Sequence, residues 1–206
     1  MKKGLFITIE GPDGSGKSTQ IQKITEFFQK RGQQVTVTRE PGGTPISETI
    51  RKILLDRSNK EMDPMTETLL YAASRAQHVA QVIKPALEKG THVICDRFVD
   101  SSIAYQGYGR ELGDCVSVIN QYAVKDCMPD LTFLMKLDPH TGKTRIKKED
   151  QDRIEMEADE FHQRVFFGYQ KLEQQFSDRI IGIDAGRDIE EISSEILLHL
   201  ERLLQK

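Results

Sequence analysis

The chain has 206 residues, of which 37% are hydrophobic and 30% are charged, and its formal net charge is −3. This length allows one domain with a substantial core, and the composition is typical of a soluble globular protein. A small negative charge gives no general attraction to nucleic acid or to an anionic membrane, so we expect neither as a partner.

Strands and helices are predicted to alternate along the chain. Short apolar or β-branched segments predict five strands, at Leu5–Ile9, Val35–Thr38, His92–Cys95, Leu131–Leu137 and Ile180–Asp184. Amphipathic stretches between them predict helices at Lys17–Lys30, Ile46–Leu55, Thr66–Glu88, Cys115–Val124, Glu157–Phe176 and Ile189–Leu204. The alternation predicts a doubly wound α/β domain over residues 1–206, with a parallel sheet between two helix layers.

A glycine-rich motif lies between the first predicted strand and the first predicted helix. It matches every fixed position of G-x-x-x-x-G-K-[ST], and its residues are Gly11, Pro12, Asp13, Gly14, Ser15, Gly16, Lys17, Ser18 and Thr19. Backbone N–H groups of such a loop bind phosphates, aided by the positive end of the following helix. We expect Lys17 to reach the β- and γ-phosphates of a nucleotide and Ser18 to ligate Mg²⁺. The alternative is a glycine-rich turn that matches the motif by accident.

Charged residues follow the second and third predicted strands. Asp96 ends an apolar strand, where P-loop enzymes hold Mg²⁺ directly or through water. The alternatives for Asp96 are a helix N-cap or a partner for Arg97. Arg97 would lie at the carboxyl edge of the sheet, and its planar fork suits a phosphate. Arg39 and Glu40 precede a Pro-Gly-Gly turn at the same edge and are therefore also candidates.

Tyr71 and Arg75 are one helical turn apart, so their side chains share a face. They could stack on a base and hydrogen-bond its edge; the alternative is core packing for Tyr71 and a surface role for Arg75. Residues Asp100–Gly109 combine hydroxyls, an amide and two tyrosines just after Arg97. By itself this segment could be a capped helix start followed by a loop.

A strongly charged segment, Gly142–Arg153, separates the fourth predicted strand from a long helix. One interpretation is a solvated helix surface with charge pairs four residues apart. The other is a mobile lid that brings arginine and lysine onto phosphates when substrate binds. The P-loop motif favours the lid interpretation, because phosphoryl transfer needs cations beside the charge that develops on the phosphates.

Together these motifs resemble the bacterial thymidylate kinases. The matching segments are Gly11–Thr19, Thr38–Gly43, Tyr71–Arg75, Asp96–Phe98, Ser101–Tyr108 and Asp152–Glu155. The resemblance implies transfer of a phosphoryl group from ATP to dTMP with Mg²⁺, giving ADP and dTDP for dTTP synthesis. It also implies a five-stranded parallel sheet of order 2-3-1-4-5 and a homodimer.

The resemblance also implies how the acceptor base is recognised. Tyr71 would stack on thymine, and Arg75 would hydrogen-bond the thymine edge. Ser102 and Gln106 would lie near that edge. Tyr105 would lie against the sugar 2′ position and so favour deoxyribose.

The same resemblance implies residues around the phosphates. Arg51 and Arg97 would bind the acceptor phosphate, Glu40 would line its pocket, and Asp13 would approach the sugar 3′-hydroxyl. Some family members carry a basic residue at the position of Gly14, which this chain lacks. The lid, at about residues 140–153, would then supply the cations, which are Arg145, Lys147, Lys148 and Arg153. The catalytic set implied is Asp13, Lys17, Arg97, Arg145 and Arg153.

Two rival functions stay open at this point. One is a kinase for another nucleotide or nucleoside, and the other is a P-loop switch or ATPase that acts by conformational change. A monophosphate acceptor is already ionised at neutral pH and needs no general base, in agreement with the lack of an obvious base motif.

Cysteine usage and apolar runs bear on location. Cys95, Cys115 and Cys127 form no C-x-x-C pair and are odd in number, which indicates a reducing compartment. The apolar stretch after Met1 is too short for a signal-peptide core, and no apolar run reaches 18 residues. We therefore expect a cytoplasmic protein.

Overall fold

Five parallel strands form one sheet at the centre of the molecule, a computed structural model that describes residues 3–145 and 151–205. The strands are β1 Phe6–Glu10, β2 Val35–Arg39, β3 His92–Asp96, β4 Leu131–Lys136 and β5 Ile180–Asp184. Their order is β2-β3-β1-β4-β5, and every neighbouring pair is parallel. The predicted α/β class and strand order are confirmed.

Nine α-helices surround the sheet in the described part of the chain. They are α1 Lys17–Lys30, α2 Pro45–Leu55, α3 Pro64–His78, α4 Lys84–Glu88, α5 Val99–Ser102, α6 Cys115–Val124, α7 Pro139–Thr144, α8 Asp159–Gln175 and α9 Ile189–Leu204. Two π-helical segments, Val79–Ile83 and Ile103–Gly109, continue α3 and α5. Asp100–Gly109 is therefore helical throughout, and the loop that was one alternative for it is wrong. No helix in the described ranges is long and apolar enough to cross a bilayer.

Helix α3 starts two residues earlier than the hydrophobic pattern predicts. Asp63 caps it, because its Oδ1 accepts from the backbone N–H groups of Met65 at 2.8 Å and Thr66 at 3.2 Å. Pro64 takes the first helical position, where its missing N–H costs nothing. The cap fixes the N-terminal turn of the helix that carries Tyr71 and Arg75.

The central strand β1 is buried along its whole length. Ile7 and Ile9 pack on one face with α1 and α9, whereas Phe6 packs on the other with Phe98 and Leu87. The hydroxyl of Thr8 forms a hydrogen bond with the hydroxyl of Thr132 on β4, with 2.7 Å between the two Oγ1 atoms. Burial on both faces follows from helix layers on both sides, as expected of a parallel sheet.

The carboxyl ends of β1, β2 and β3 meet at one edge. Ile9 lies beside Asp96, and the Arg97 N–H donates to the Ile9 carbonyl at 3.0 Å. On the other side of β3, the Glu40 N–H donates to the Asp96 carbonyl at 2.9 Å. The P-loop, Asp96-Arg97 and the Glu40 turn are therefore neighbours.

A buried carboxylate, Glu10, organises this edge. Its Oε1 accepts from the N–H groups of Phe98 at 2.7 Å and Ser101 at 3.3 Å, and its Oε2 accepts from the hydroxyls of Ser101 and Tyr169. Burial and the neighbouring Asp100 raise the pKa of Glu10 to about 7, although its hydrogen bonds and Arg97 oppose the rise. Glu10 thus secures the backbone around Arg97, which is itself in the left-handed region at φ 65°.

We expect Glu10 to make stability pH-dependent. The pKa of this group is higher in the folded protein than its ordinary 4.5, so the folded state binds the proton more tightly. Its contribution is complete at acid pH and is lost as pH rises through about 7. The unfolding free energy of the wild type relative to Glu10→Gln should fall by up to about 3 kcal/mol between about pH 5 and pH 8. Urea denaturation at both pH values measures this, and a constant difference would contradict the assignment.

Candidate active site

The P-loop takes a conformation that depends on its glycines. Gly11 has φ 129°, and a Cβ there would lie 2.4 Å from the Met135 carbonyl oxygen, so no larger residue fits. Gly16 is left-handed and immediately precedes α1. Lys17 is buried, and its Nζ donates to the carbonyls of Gly11 at 3.1 Å and Pro12 at 3.0 Å. Ser18 is exposed at the start of the helix.

Asp13 lies between two cations. Its Oδ1 is 2.8 Å from Arg97 Nη2 and 3.5 Å from Lys17 Nζ. Burial by itself would raise the pKa of Asp13, but Arg97 and Lys17 outweigh it and hold the pKa well below its ordinary value. Burial, and then the charge of Arg97, lower the pKa of Lys17. Asp13 is therefore a permanent carboxylate that separates the P-loop lysine from the arginine after β3.

Arg97 and Asp96 lie together at the floor of the site. Arg97 Nη1 is 3.3 Å from the hydroxyls of both Ser101 and Tyr169. Asp96 Oδ1 is buried and has no hydrogen-bond partner among the described residues. Asp96 does not cap α5, whose N-cap is Phe98, so that alternative is wrong. A buried carboxylate oxygen without a partner is suited to a cation or an ordered water.

One cleft brings the predicted substrate residues together. The cleft has a volume of about 170 Å³ and opens to solvent. Its lining includes every one of these predicted residues: Asp13, Glu40, Arg51, Tyr71, Arg75, Asp96, Arg97, Ser102, Tyr105 and Gln106.

Arg75 is almost completely buried, at 2% exposure, so the surface role considered for it is wrong. Its Nε donates to Glu40 at 2.7 Å, its Nη1 donates to Ser102 at 2.8 Å and also to Asn120, and its Nη2 donates to the Phe98 carbonyl at 2.9 Å. A guanidinium has five N–H groups, so one N–H of Nη2 has no partner in the described part of the chain.

Glu40 connects Arg75 to a second buried group. Its Oε1 is 2.9 Å from His78 Nδ1, and His78 Nε2 is 2.7 Å from the Thr38 hydroxyl. The carboxylate thus uses both oxygens within the protein, Oε2 on Arg75 and Oε1 on His78. A cis peptide bond joins Glu40 to Pro41, and the Pro41 carbonyl in turn accepts from Arg51 Nη1 at 2.8 Å.

The predicted lid cations are not all in one place. Arg145 Nη1 donates to the Gly14 carbonyl of the P-loop at 3.0 Å. Arg153 instead is buried, with Nε 2.8 Å from the Leu54 carbonyl and Nη2 2.6 Å from Glu67. The structure therefore brings Arg145 but not Arg153 to the P-loop. Lys147 and Lys148 lie outside the described residues.

The lid segment also approaches the P-loop through α7. A Cβ on Gly142 would lie 2.7 Å from the Asp13 carbonyl oxygen, and one on Gly14 would lie 2.6 Å from the Gly142 carbonyl oxygen. The two backbones can come this close because both of these positions are glycine. The helical-surface interpretation of the charged segment is wrong for Arg153, which is buried rather than solvated.

Several cleft residues were missed from the sequence. Asp152, Ile154 and Glu155 line the cleft although no role had been assigned to them. Glu67 lies beneath it and bonds to Gln106; its position four residues before Tyr71, on the same helix face, was the available signal. Nothing in the local sequence marks Asn120.

The sequence profile of the thymidylate kinase family matches residues 9–196 of this chain. The thymidylate kinase of Exiguobacterium sp. is 51% identical over 205 residues, which cover 98% of this chain and 97% of that protein. That of Pediococcus pentosaceus is 48% identical, covering 98% of this chain and 99% of its own length. The crystal structure of the thymidylate kinase from Ehrlichia chaffeensis superimposes with a TM-score of 0.79 at 33% identity, covering 97% of this chain and 99% of that one. The chain belongs to the thymidylate kinase family.

Proposed function

We propose that the protein transfers the γ-phosphoryl group of ATP to dTMP, giving ADP and dTDP for dTTP synthesis. The observation that carries the proposal is the polar pattern of the cleft. Arg75 keeps one N–H of Nη2 as a donor, and Gln106 turns its amide nitrogen to Glu67, which leaves its carbonyl as an acceptor. Thymine presents O4 as an acceptor and N3–H as a donor, so the two patterns are complementary. The names of the relatives support the same acceptor.

Other residues of the cleft fit the rest of the acceptor. Tyr71 lies one turn before Arg75 and offers a ring for stacking on the base. Ser102, already bonded to Arg75, adds a hydroxyl near the base edge. Tyr105 lies with its ring centroid 5.2 Å from the Arg97 guanidinium, where we place it against the sugar 2′ position.

Arg97 and Arg51 are the proposed ligands of the acceptor phosphate. Both line the cleft, and Arg97 is fixed by Asp13, Ser101 and Tyr169. The second pKa of a phosphate monoester is about 6, so its oxygen attacks without a general base. The residues here then have to align two anions and offset their repulsion. Asp13, which lies between Arg97 and Lys17, would then separate the two phosphate positions and approach the sugar 3′-hydroxyl.

The P-loop is the proposed site of the ATP phosphates. Its backbone N–H groups and Lys17 would neutralise the β- and γ-phosphates. Ser18 and Asp96 would hold Mg²⁺, which neutralises charge on the donor phosphates when bound. The unpartnered Asp96 Oδ1 supports this. No cluster of three acidic, histidine or cysteine residues that suits a metal occurs within the described ranges.

We propose Arg145 as a lid cation for the transferred phosphoryl group, since it already contacts the P-loop. Arg153 could take that role only if its bonds to Glu67 and Leu54 open. Lys147 and Lys148 stay candidates from the sequence. In this proposal the chain is one kinase domain whose lid spans about residues 140–153.

A homodimer in the cytoplasm completes the proposal. Large apolar side chains are exposed on α2, α3 and α6, and they are Ile46, Ile53, Leu69, Val118 and Tyr122. Because α3 packs against both α2 and α6, these side chains belong to neighbouring helices. Exposed apolar side chains on neighbouring helices suit contact with a second copy. The three cysteines are free thiols, as expected in a reducing compartment.

The direct test is ADP release from ATP–Mg²⁺ with a panel of acceptors. We expect strong dependence on dTMP, slow turnover with dUMP, and little with dCMP, the purine monophosphates or thymidine. Discrimination against dUMP is limited, because one methyl group is worth only about 1–3 kcal/mol. Turnover that ignores every acceptor would contradict the proposal and favour a P-loop switch or ATPase.

Replacing the P-loop lysine should separate chemistry from acceptor binding. In Lys17→Met we expect kcat to fall by about 10³-fold or more, because the phosphate charge loses its buried cation. The Kd of dTMP should change less than about threefold, since Asp13 lines the cleft and Lys17 does not. Single-turnover kinetics and calorimetry measure the two quantities. Near-normal kcat would refute the P-loop assignment.

A further inference from the structure

A fully buried carboxylate, Glu67 on α3, lies behind the base end of the cleft. Its Oε1 accepts from Gln106 Nε2 at 2.9 Å and from Arg110 Nε at 3.2 Å. Its Oε2 accepts from Arg110 Nη2 at 3.0 Å and from Arg153 Nη2 at 2.6 Å. Four donor atoms from three residues thus converge on one carboxylate.

The charge of Glu67 determines which way the Gln106 amide turns. An ionised carboxylate only accepts hydrogen bonds, so the group of Gln106 that faces it has to be the NH₂. The carbonyl oxygen of Gln106 then points away from Glu67. No donor in the described part of the chain bonds to that oxygen, and Gln106 lines the cleft.

The protein keeps Glu67 ionised in spite of its burial. Burial alone would raise the pKa of Glu67, but the hydrogen bonds and charge of Arg110, together with Gln106 and Arg153, outweigh it and lower the pKa. An unpaired buried carboxylate would instead take up a proton and become a donor. The two arginines therefore maintain the acceptor character on which the Gln106 orientation depends.

We propose that Glu67 is a positioning residue for base specificity: it fixes Gln106 with its carbonyl toward the acceptor base, so that the cleft selects pyrimidines with an N3–H donor over cytosine. This inference rests on the proposed function. Cytosine has an unprotonated N3 and an amino group at C4. Its N3 acceptor would face the acceptor oxygen of Gln106, and its amino group would face the N–H donor of the cleft. A mismatch of buried polar groups is a strong basis for rejection, because both groups lose their hydrogen bonds.

The test is Glu67→Gln, which preserves shape but replaces the carboxylate with an amide. Arg110 and Arg153 would donate to the one carbonyl oxygen of the new glutamine side chain, and the NH₂ of that side chain would face Gln106. The Gln106 amide would then turn over and present NH₂ to the cleft. We expect kcat/KM for dTMP to fall about 10–100-fold, and the ratio of kcat/KM for dTMP to that for dCMP to fall at least about tenfold.

Two further variants separate positioning from general damage. Glu67→Asp keeps an acceptor-only carboxylate, so we expect it to retain the wild-type ratio of dTMP to dCMP even if it lowers stability. Glu201→Gln makes the same carboxylate-to-amide change in an exposed pair, 2.8 Å from Arg31, and should leave both activities unchanged. A purely structural role for Glu67 predicts that the Gln and Asp variants lose activity together with no change in the ratio, and that result would overturn the proposal.

A second route does not depend on the folding of Glu67→Gln. Gln106→Leu removes the amide and leaves the ion pairs of Glu67 with Arg110 and Arg153 in place. We expect it to lower the dTMP-to-dCMP ratio at least about tenfold, and adding Glu67→Gln should lower the ratio no further. An unchanged ratio in Gln106→Leu would refute the inference. Failure of the proposed function is distinguishable, because the wild type would then show no turnover that depends on dTMP.

Discussion

The pairing of β1 with β3 is the constraint on which the site depends. The Arg97 N–H bonds to the Ile9 carbonyl at 3.0 Å, and Glu10 accepts the Phe98 N–H at 2.7 Å. These two bonds place the P-loop, which leaves β1, beside the arginine that leaves β3. Because both strands are buried at the centre of a parallel sheet, neither can shift its register without exposing apolar side chains. The separation of the two proposed phosphate positions is therefore set by backbone geometry.

Three buried glutamates form a layer that supports the cleft; Glu10 and Glu67 lie behind it, and Glu40 also lines it. Glu10 supports the turn around Arg97, Glu40 bonds to Arg75, and Glu67 bonds to Gln106. Each therefore supports a different residue that lines the cleft. Such a layer fixes the directions of donors and acceptors before any substrate arrives, which reduces the ordering that binding would otherwise require. Buried carboxylates are costly unless fully bonded, and each of these three accepts at least two hydrogen bonds.

Local patterns predicted the parts of the site that adjoin strands. The glycine motif, Asp96-Arg97 and the Glu40 turn each follow a strand whose carboxyl end is recognisable from its apolar run. Arg75 was harder, because its partners Glu40, Phe98 and Asn120 come from elements far along the chain. The pairing of Arg153 with Glu67 could not be predicted for the same reason, because the two residues are 86 positions apart in the sequence. The charge composition of this segment indicated a lid but could not show which of its basic side chains are buried in the folded protein.

In the proposed site, the donor and acceptor phosphates occupy separate positions on either side of Asp13. We would test this by calorimetric titration of dTMP into the protein alone and into the protein saturated with ADP–Mg²⁺. We expect one dTMP per chain in both titrations, with dissociation constants within about tenfold of each other. If ADP abolished dTMP binding, the two nucleotides would share one position, and the proposed site would be wrong.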